Sequence, residues 1–166
     1  MNEKPQLLDK FSEWNRFVLQ ITELEWQTPI DEGKWTIHDI VSHMMLWDKY
    51  FYEEAIYPIA NGKQVTVSHL DFDAFNREAI EYGKTLTKDE LIDLTTRYRN
   101  LLVDTIQRLD DDTFSRKYAE GKFTVKTYLQ DFIWHDQHHI TQMEEYKRKS
   151  GIYSHHDTKG ERHEVF

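Results

Sequence analysis

The amino-acid sequence predicts an all-α protein: a four-helix bundle with a long crossover between the second and third helices. Three observations lead there. Apolar residues recur at steps of three and four almost throughout, with little of the period-two alternation expected of strands. Punctuation is sparse, with 3 Pro and 6 Gly in 166 residues. Two Thr-x-x-acid sequences, Thr36 to Asp39 and Thr87 to Glu90, stand directly before apolar runs, as capping boxes do.

The first helix is expected from about Lys4 to Glu25, with Pro5 in its first turn and Leu7, Phe11, Trp14, Val18, Ile21 and Leu24 on one stripe. A loop through Thr28, Pro29 and Gly33 leads to Thr36, the expected N-cap of a second helix. That helix carries Ile37, Ile40, Val41, Met44, Trp47, Phe51 and Ala55 inward and should fray near Tyr57 or Pro58, before the Asn61-Gly62 turn. Between Val65 and Gly83 a short extended piece precedes a short helix in FDAFNREAIEY that crosses between the long ones. Thr87 opens the third long helix, with Leu91, Leu94, Tyr98, Leu101, Thr105 and Leu109 as its buried positions. Asp110, Asp111 and Asp112 then fall where the helix dipole disfavours negative charge, which marks its end. The last helix runs from about Thr124 to Lys149, closing on basic residues and Gly151. Residues 1–150 read as one domain and 151–166 as a polar tail.

Charge and composition narrow the chemistry. The chain has 21 Lys and Arg against 30 Asp and Glu, a formal net charge of −9, nine His and no Cys. Without thiols there is no disulfide framework, Cys zinc site, iron–sulfur cluster or cysteine nucleophile, so any metal must be held by imidazole and carboxylate. The acidic balance argues against nucleic acid and anionic membranes as partners. No apolar stretch reaches signal-peptide or membrane-span length, which makes the cytoplasm the expected compartment.

Helical phase then sorts the nine His. His43 lies three residues after Ile40 and four before Trp47, at the edge of the inward stripe of its helix. In the last helix WHDQHHITQ supplies His135, His138 and His139, and His135 and His139 are spaced i, i+4 on one face. Two imidazoles at that spacing can hold one ion, and a third from another helix completes a facial site. The same face carries Tyr128, Phe132, Gln142 and Tyr146, so aromatic residues flank a polar centre where packing alone calls for a continuous apolar stripe. Asp136, Gln142, Asp48 and the tyrosines are candidate hydrogen-bond partners for the distal ring nitrogens, Gln142 most clearly. The spacing also arises by chance in a His-rich chain, and a lone inward His is commonly a hydrogen-bonded core residue, so the pattern leaves both readings open. His138 is a rival ligand at i, i+3 from His135, turned roughly 60° from the face of His139. His38, His69, His155, His156 and His163 are expected on the solvated surface. No glycine-rich phosphate loop, GxSxG, DxDxDG or Glu-x-x-His sequence is present.

In KWTIHDIVSHMMLWD and WHDQHHITQM the sequence resembles the DinB-like superfamily of metalloenzymes, which includes the YfiT-like bacillithiol transferases. The first segment has a Trp-Thr helix start followed eight residues on by the inward His and then Trp; the second has HxxxH followed by Gln. With the helix order, the likeness extends over about residues 4 to 150. It implies a bundle of four helices in up-down-down-up order with a divalent metal on His43, His135 and His139, nickel, zinc and iron all being suited to imidazole. It also implies a small-molecule substrate and a homodimer, since many relatives are dimers. Thiol transfer and maleylpyruvate isomerisation occur in the superfamily. A branch that hydrolyses a cyclopropane-bearing genotoxin shares the aromatic second helix but lacks the three His. The expectation is therefore an enzyme that activates a water or low-molecular-weight thiol for attack on a small electrophile, in a mouth lined by Trp47, Tyr50, Phe132 and Tyr146. The alternative is a non-catalytic ligand-binding or stress-response module with a structural metal closed by Asp136 or His138, or with none.

Overall fold

The computed structural model describes residues 3–68 and 70–150. Seven α-helices are found there: α1 (Lys4–Gln20), α2 (Ile37–Phe51), α3 (Tyr57–Ala60), α4 (Phe72–Gly83), α5 (Lys88–Gln107), α6 (Asp111–Ser115) and α7 (Val125–Ser150). No strand occurs among the described residues, only isolated bridges between Pro29 and Thr36 and between Tyr118 and Phe123. The expected tail, with His155, His156 and His163, and also His69, lie outside the described residues.

α1, α2, α5 and α7 form the bundle, and contacts at their ends fix its direction. The Lys4 ammonium at the start of α1 donates to the carbonyls of Gln107, at 3.2 Å, and Leu109, where α5 ends. Glu3 pairs with Lys126 in the first turn of α7 at 3.1 Å. Phe51, ending α2, stacks on Tyr128 near the start of α7. α1 and α7 thus run one way and α2 and α5 the other, which is the expected up-down-down-up order. The two capping boxes form as the sequence indicates: Asp39 N–H donates to Thr36 Oγ1 at 3.0 Å and Glu90 N–H to Thr87 Oγ1 at 3.1 Å.

The helix ends depart from expectation for local reasons. α1 stops at Gln20, short of Glu25: the chain tightens there into three-residue turns, with Ile21 N–H donating to the Val18 carbonyl at 3.2 Å and Leu24 N–H to the Ile21 carbonyl at 3.1 Å, and the indole N–H of buried Trp26 also donates to the Ile21 carbonyl at 2.9 Å. α2 does not fray at Pro58. It passes through a π-helical turn, Tyr52–Ile56, into α3. Pro58 lacks the N–H that would bond the Glu54 carbonyl four residues back, and Thr66 N–H supplies the missing donor at 2.8 Å. The crossover is thereby pinned against α2 as it leads to α4, which packs on the same helix. The acidic run after α5 begins a helix instead of ending one: the Asp110 carboxylate accepts from Thr113 N–H at 2.8 Å and caps α6.

The phase of α5 also differs. Leu91, Thr105 and Leu109 are buried as expected, but Leu94 and Tyr98 are half-buried and Leu101 is exposed, while Thr95, Arg99, Leu102 and Ile106 complete the inward stripe. Arg99 sets this phase. Its side chain is fully buried and its five N–H groups make five hydrogen bonds: Nε and Nη2 to Asp48 at 2.8 and 3.0 Å, Nη1 and Nη2 to Asp136 at 2.8 and 3.3 Å, and Nη1 to the Phe11 carbonyl at 2.8 Å. One guanidinium therefore ties all four bundle helices. Apolar clusters lie on either side, one around Trp14, Met44 and Met143 and the other around Phe11, Leu102 and Leu129.

His38 is another departure. It is buried, not solvated, with its Nε2 bonded to the Gly83 carbonyl at 2.8 Å and its ring edge-on to Trp26. Gly83 lets α4 close on α2 here, for a Cβ at that position would lie 1.9 Å from Ser42 Oγ.

Candidate metal centre

The capping box at Thr36 starts α2 so that His43 faces inward two turns on, and the long α7 brings His135 and His139 to the same level from the opposite side. Each of the three offers a ring nitrogen, and these nitrogens all lie within 4.8 Å of one another. Among the described residues this is the one such group of His and acidic side chains. His43 and His139 are buried and His135 is half-buried.

Hydrogen bonds decide which nitrogen His43 and His139 present. Trp47 Nε1–H, which can only donate, reaches Asn76 Oδ1 at 3.0 Å, so the amide oxygen faces the site. His43 Nδ1 lies 3.2 Å from that oxygen and must carry a proton to bond it. His139 Nδ1 likewise donates to Gln142 Oε1 at 2.7 Å. Both Nε2 atoms are then left with bare lone pairs, and they face each other at 3.3 Å. Two lone pairs so placed repel unless a cation or proton lies between them. Tetrahedral zinc with Zn–N near ~2.05 Å holds neighbouring ligand nitrogens about 3.3 Å apart.

The electrostatics keep these rings neutral. Burial, then the charges of His139 and His135, holds His43 well below its ordinary value. Burial and His135 push His139 down to about 3. Burial and His138 lower His135. Neutral imidazole is the ligating form, so the donors are ready at neutral pH without displacing protons.

The three rings open into a cleft of about 470 Å³ between α4, α7 and the loop before α2. Trp35 stands on its wall with its ring edge-on to His43 at 5.0 Å, alongside Ile30 and Ile40, with Lys34 and Asp73 also facing the space. The lining is thus not the expected set. Trp47 packs on Phe75 and orients Asn76, the Tyr50 hydroxyl bonds Ser68, Phe132 lies in the apolar core, and Tyr146 donates to the Glu25 carbonyl. Those aromatic side chains are consumed by packing or held by their own hydroxyl and indole bonds. His138 stacks on exposed Trp134 and does not join the converging group. Of the candidate partners, Gln142 bonds the His139 ring as expected. Asp48 and Asp136 instead bind Arg99, whose positive charge outcompetes a neutral imidazole.

Asn76, Trp35 and Arg99 were not legible as site or core residues from helical phase. Arg99 had a signal: it sits at the centre of the stripe Leu91, Thr95, Leu102, Ile106, where an ion can be buried only with counter-charges, and Asp48 and Asp136 supply them.

The family model described as the DinB superfamily matches residues 6–143. Among solved structures, YfiT from Bacillus subtilis, described as a probable metal-dependent hydrolase with an unusual four-helix bundle topology, superposes with a TM-score of 0.72. It is 20% identical over 91% of this chain and 90% of its own, a likeness of fold. No curated protein matches the chain at a significant level.

Proposed function

This chain belongs to the DinB superfamily, and from that premise we propose that His43, His135 and His139 hold a divalent cation and that the protein is a metal-dependent enzyme acting on a small electrophile. The observation that carries the reading is the pair of Nε2 atoms facing at 3.3 Å, each with its Nδ1 proton committed to an amide oxygen. Such an arrangement is costly without a cation and is the usual way an imidazole ligand is oriented with one. The hydrolase description of the YfiT neighbour supports it. Three imidazoles suit nickel, zinc or iron.

A bound divalent cation would lower the proton affinity of a water or low-molecular-weight thiol, giving a nucleophile at neutral pH. The chain's own residues do the rest. Asn76 and Gln142 fix the ring tautomers, Trp47 fixes the orientation of Asn76, and Trp35, Ile30 and Ile40 give the cleft an apolar wall for the electrophile. With no Cys in the chain, any thiol in the reaction arrives as a substrate.

The test is metal retention followed by turnover. Protein loaded with nickel or zinc and dialysed should keep about one ion per chain on elemental analysis, and His139→Ala should keep none while its helical circular dichroism is unchanged. A wild-type protein that retains no metal would refute the proposal. Turnover of a generic electrophile that requires added thiol assigns a transferase, and turnover in water alone a hydrolase.

A further inference from the structure

We infer that the metal cleft selects a ligand carrying a carboxylate beside its metal-binding atom, and that Lys34 binds this carboxylate. The inference rests on the metal-binding reading above and extends it to the class of substrate or co-substrate.

Charge balance is the first argument. An imidazole binds a metal through a nitrogen lone pair and brings no charge of its own, and the ring nitrogens of His43 and His139 pointing away from the centre bond amide oxygens, not carboxylates. The converging group contains no carboxylate to balance the charge of a divalent cation, so an anion entering the cleft is favoured.

The walls give that preference a direction. Apart from the His, Lys34 and Asp73 are the charged side chains lining the cleft. Lys34, Ile30 and Gln142 also border a neighbouring cavity of about 320 Å³ that follows α7, which places Lys34 on the α7 side; the two carboxylates of that cavity have counter-charges of their own, Asp31 in Lys149 at 3.8 Å and Glu145 in Arg148 at 3.3 Å. Asp73 is in the first turn of α4, one turn before Asn76, on the opposite wall. An anion is therefore repelled from the α4 wall and drawn to the α7 wall. Half-buried Lys34 makes no side-chain ion pair or hydrogen bond among the described residues, whereas its loop is firmly held. Ile30 N–H donates to the Trp35 carbonyl at 3.0 Å, Lys34 N–H donates to the Asp31 carbonyl at 3.0 Å, and Gly33 takes the left-handed φ of 73° that the tight return needs. A fixed backbone lowers the entropy lost when the ammonium engages a ligand.

Cobalt-loaded protein provides a test that does not depend on turnover. 3-Mercaptopropionate and neutral 3-mercaptopropanol present the same thiol with and without a carboxylate, and the thiolate-to-cobalt absorption band reports the affinity of each. Wild-type protein should prefer the carboxylate by about tenfold or more. Lys34→Met should reduce the preference to within about twofold while cobalt content and the affinity for 3-mercaptopropanol hold; Lys34→Arg should keep it, and Asp73→Asn should widen it. Equal binding of the two thiols by wild type, an undiminished preference in Lys34→Met, or no band with either thiol overturns the inference while leaving the metal site standing. Failure to take up cobalt overturns the metal reading and this inference with it.

Discussion

Arg99 donates twice to Asp136, and Asp136 lies on α7 between His135 and His139. The same guanidinium donates twice to Asp48, which follows His43 on α2 by little more than a turn. Each helix that carries converging His thus also carries a buried carboxylate fastened to one cation from α5. Two carboxylates share one guanidinium in the core, and burial pushes Asp136 up to about 7 against the pull of Arg99.

Removing the cation alone should be severe. Arg99→Met strands Asp48 and Asp136 in the core and is expected to cost about 3–5 kcal/mol in urea unfolding. The triple variant Asp48→Leu, Arg99→Met, Asp136→Leu should recover most of that, because apolar groups of similar volume need no counter-charge. A single variant within about 1 kcal/mol of wild type would contradict the role given to Arg99.

Stability of metal-free protein should depend on pH through the buried imidazoles. His139 titrates near 6.5 when unfolded and at about 3 when folded, so between those values the unfolded chain binds more protons. Its contribution is complete above 6.5 and is lost as pH falls toward 3, with a slope of up to about 1.4 kcal/mol per pH unit. Asp136 acts in the opposite sense: with its folded value raised to about 7, the folded state holds a proton that the unfolded chain releases above 3.8, and stability falls as pH rises through that window. The His139 part is therefore read as the difference between wild type and His139→Phe across pH 4.5–7 in the presence of chelator, and wild type should lose more stability on acidification.

Asn76 should act on metal affinity without touching the metal. Asn76→Leu removes the acceptor that fixes the His43 tautomer, and a 10–100-fold weaker zinc affinity is expected by competition titration, with the helical signal retained. Gln142→Leu should behave alike through His139. Unchanged affinity in both would mean that the rings are oriented by packing alone.

Gly83 should tolerate no side chain while Ser42 is present. A Cβ there meets Ser42 Oγ at 1.9 Å and Ser42 Cβ at 2.5 Å, and Gly83→Ala is expected to lower stability by about 1–3 kcal/mol. Ser42→Gly together with Gly83→Ala should restore part of the loss, a coupling that thermal unfolding of the double-mutant cycle will show.

The sequence by itself determined the parts of this protein that depend on neighbours in the chain. Apolar spacing located the long helices, Thr36 and Thr87 located two of their starts, and helical phase put His135 and His139 on one face and His43 at the inward edge of its helix, because an i, i+4 relation is a local geometric fact; His138 stayed a rival until the fold turned it onto Trp134. Tertiary structure decided what depends on residues far apart in the chain. Asn76, 33 residues from His43, was placed against it by a crossover that Pro58 and Thr66 pin to α2. The phase of α5 was settled by Arg99 finding two carboxylates on other helices, against the apolar pattern that favoured Leu101. Periodicity weighs each side chain by its own hydrophobicity, whereas burial of an ion or an imidazole is decided by whether a partner from another element arrives to satisfy it.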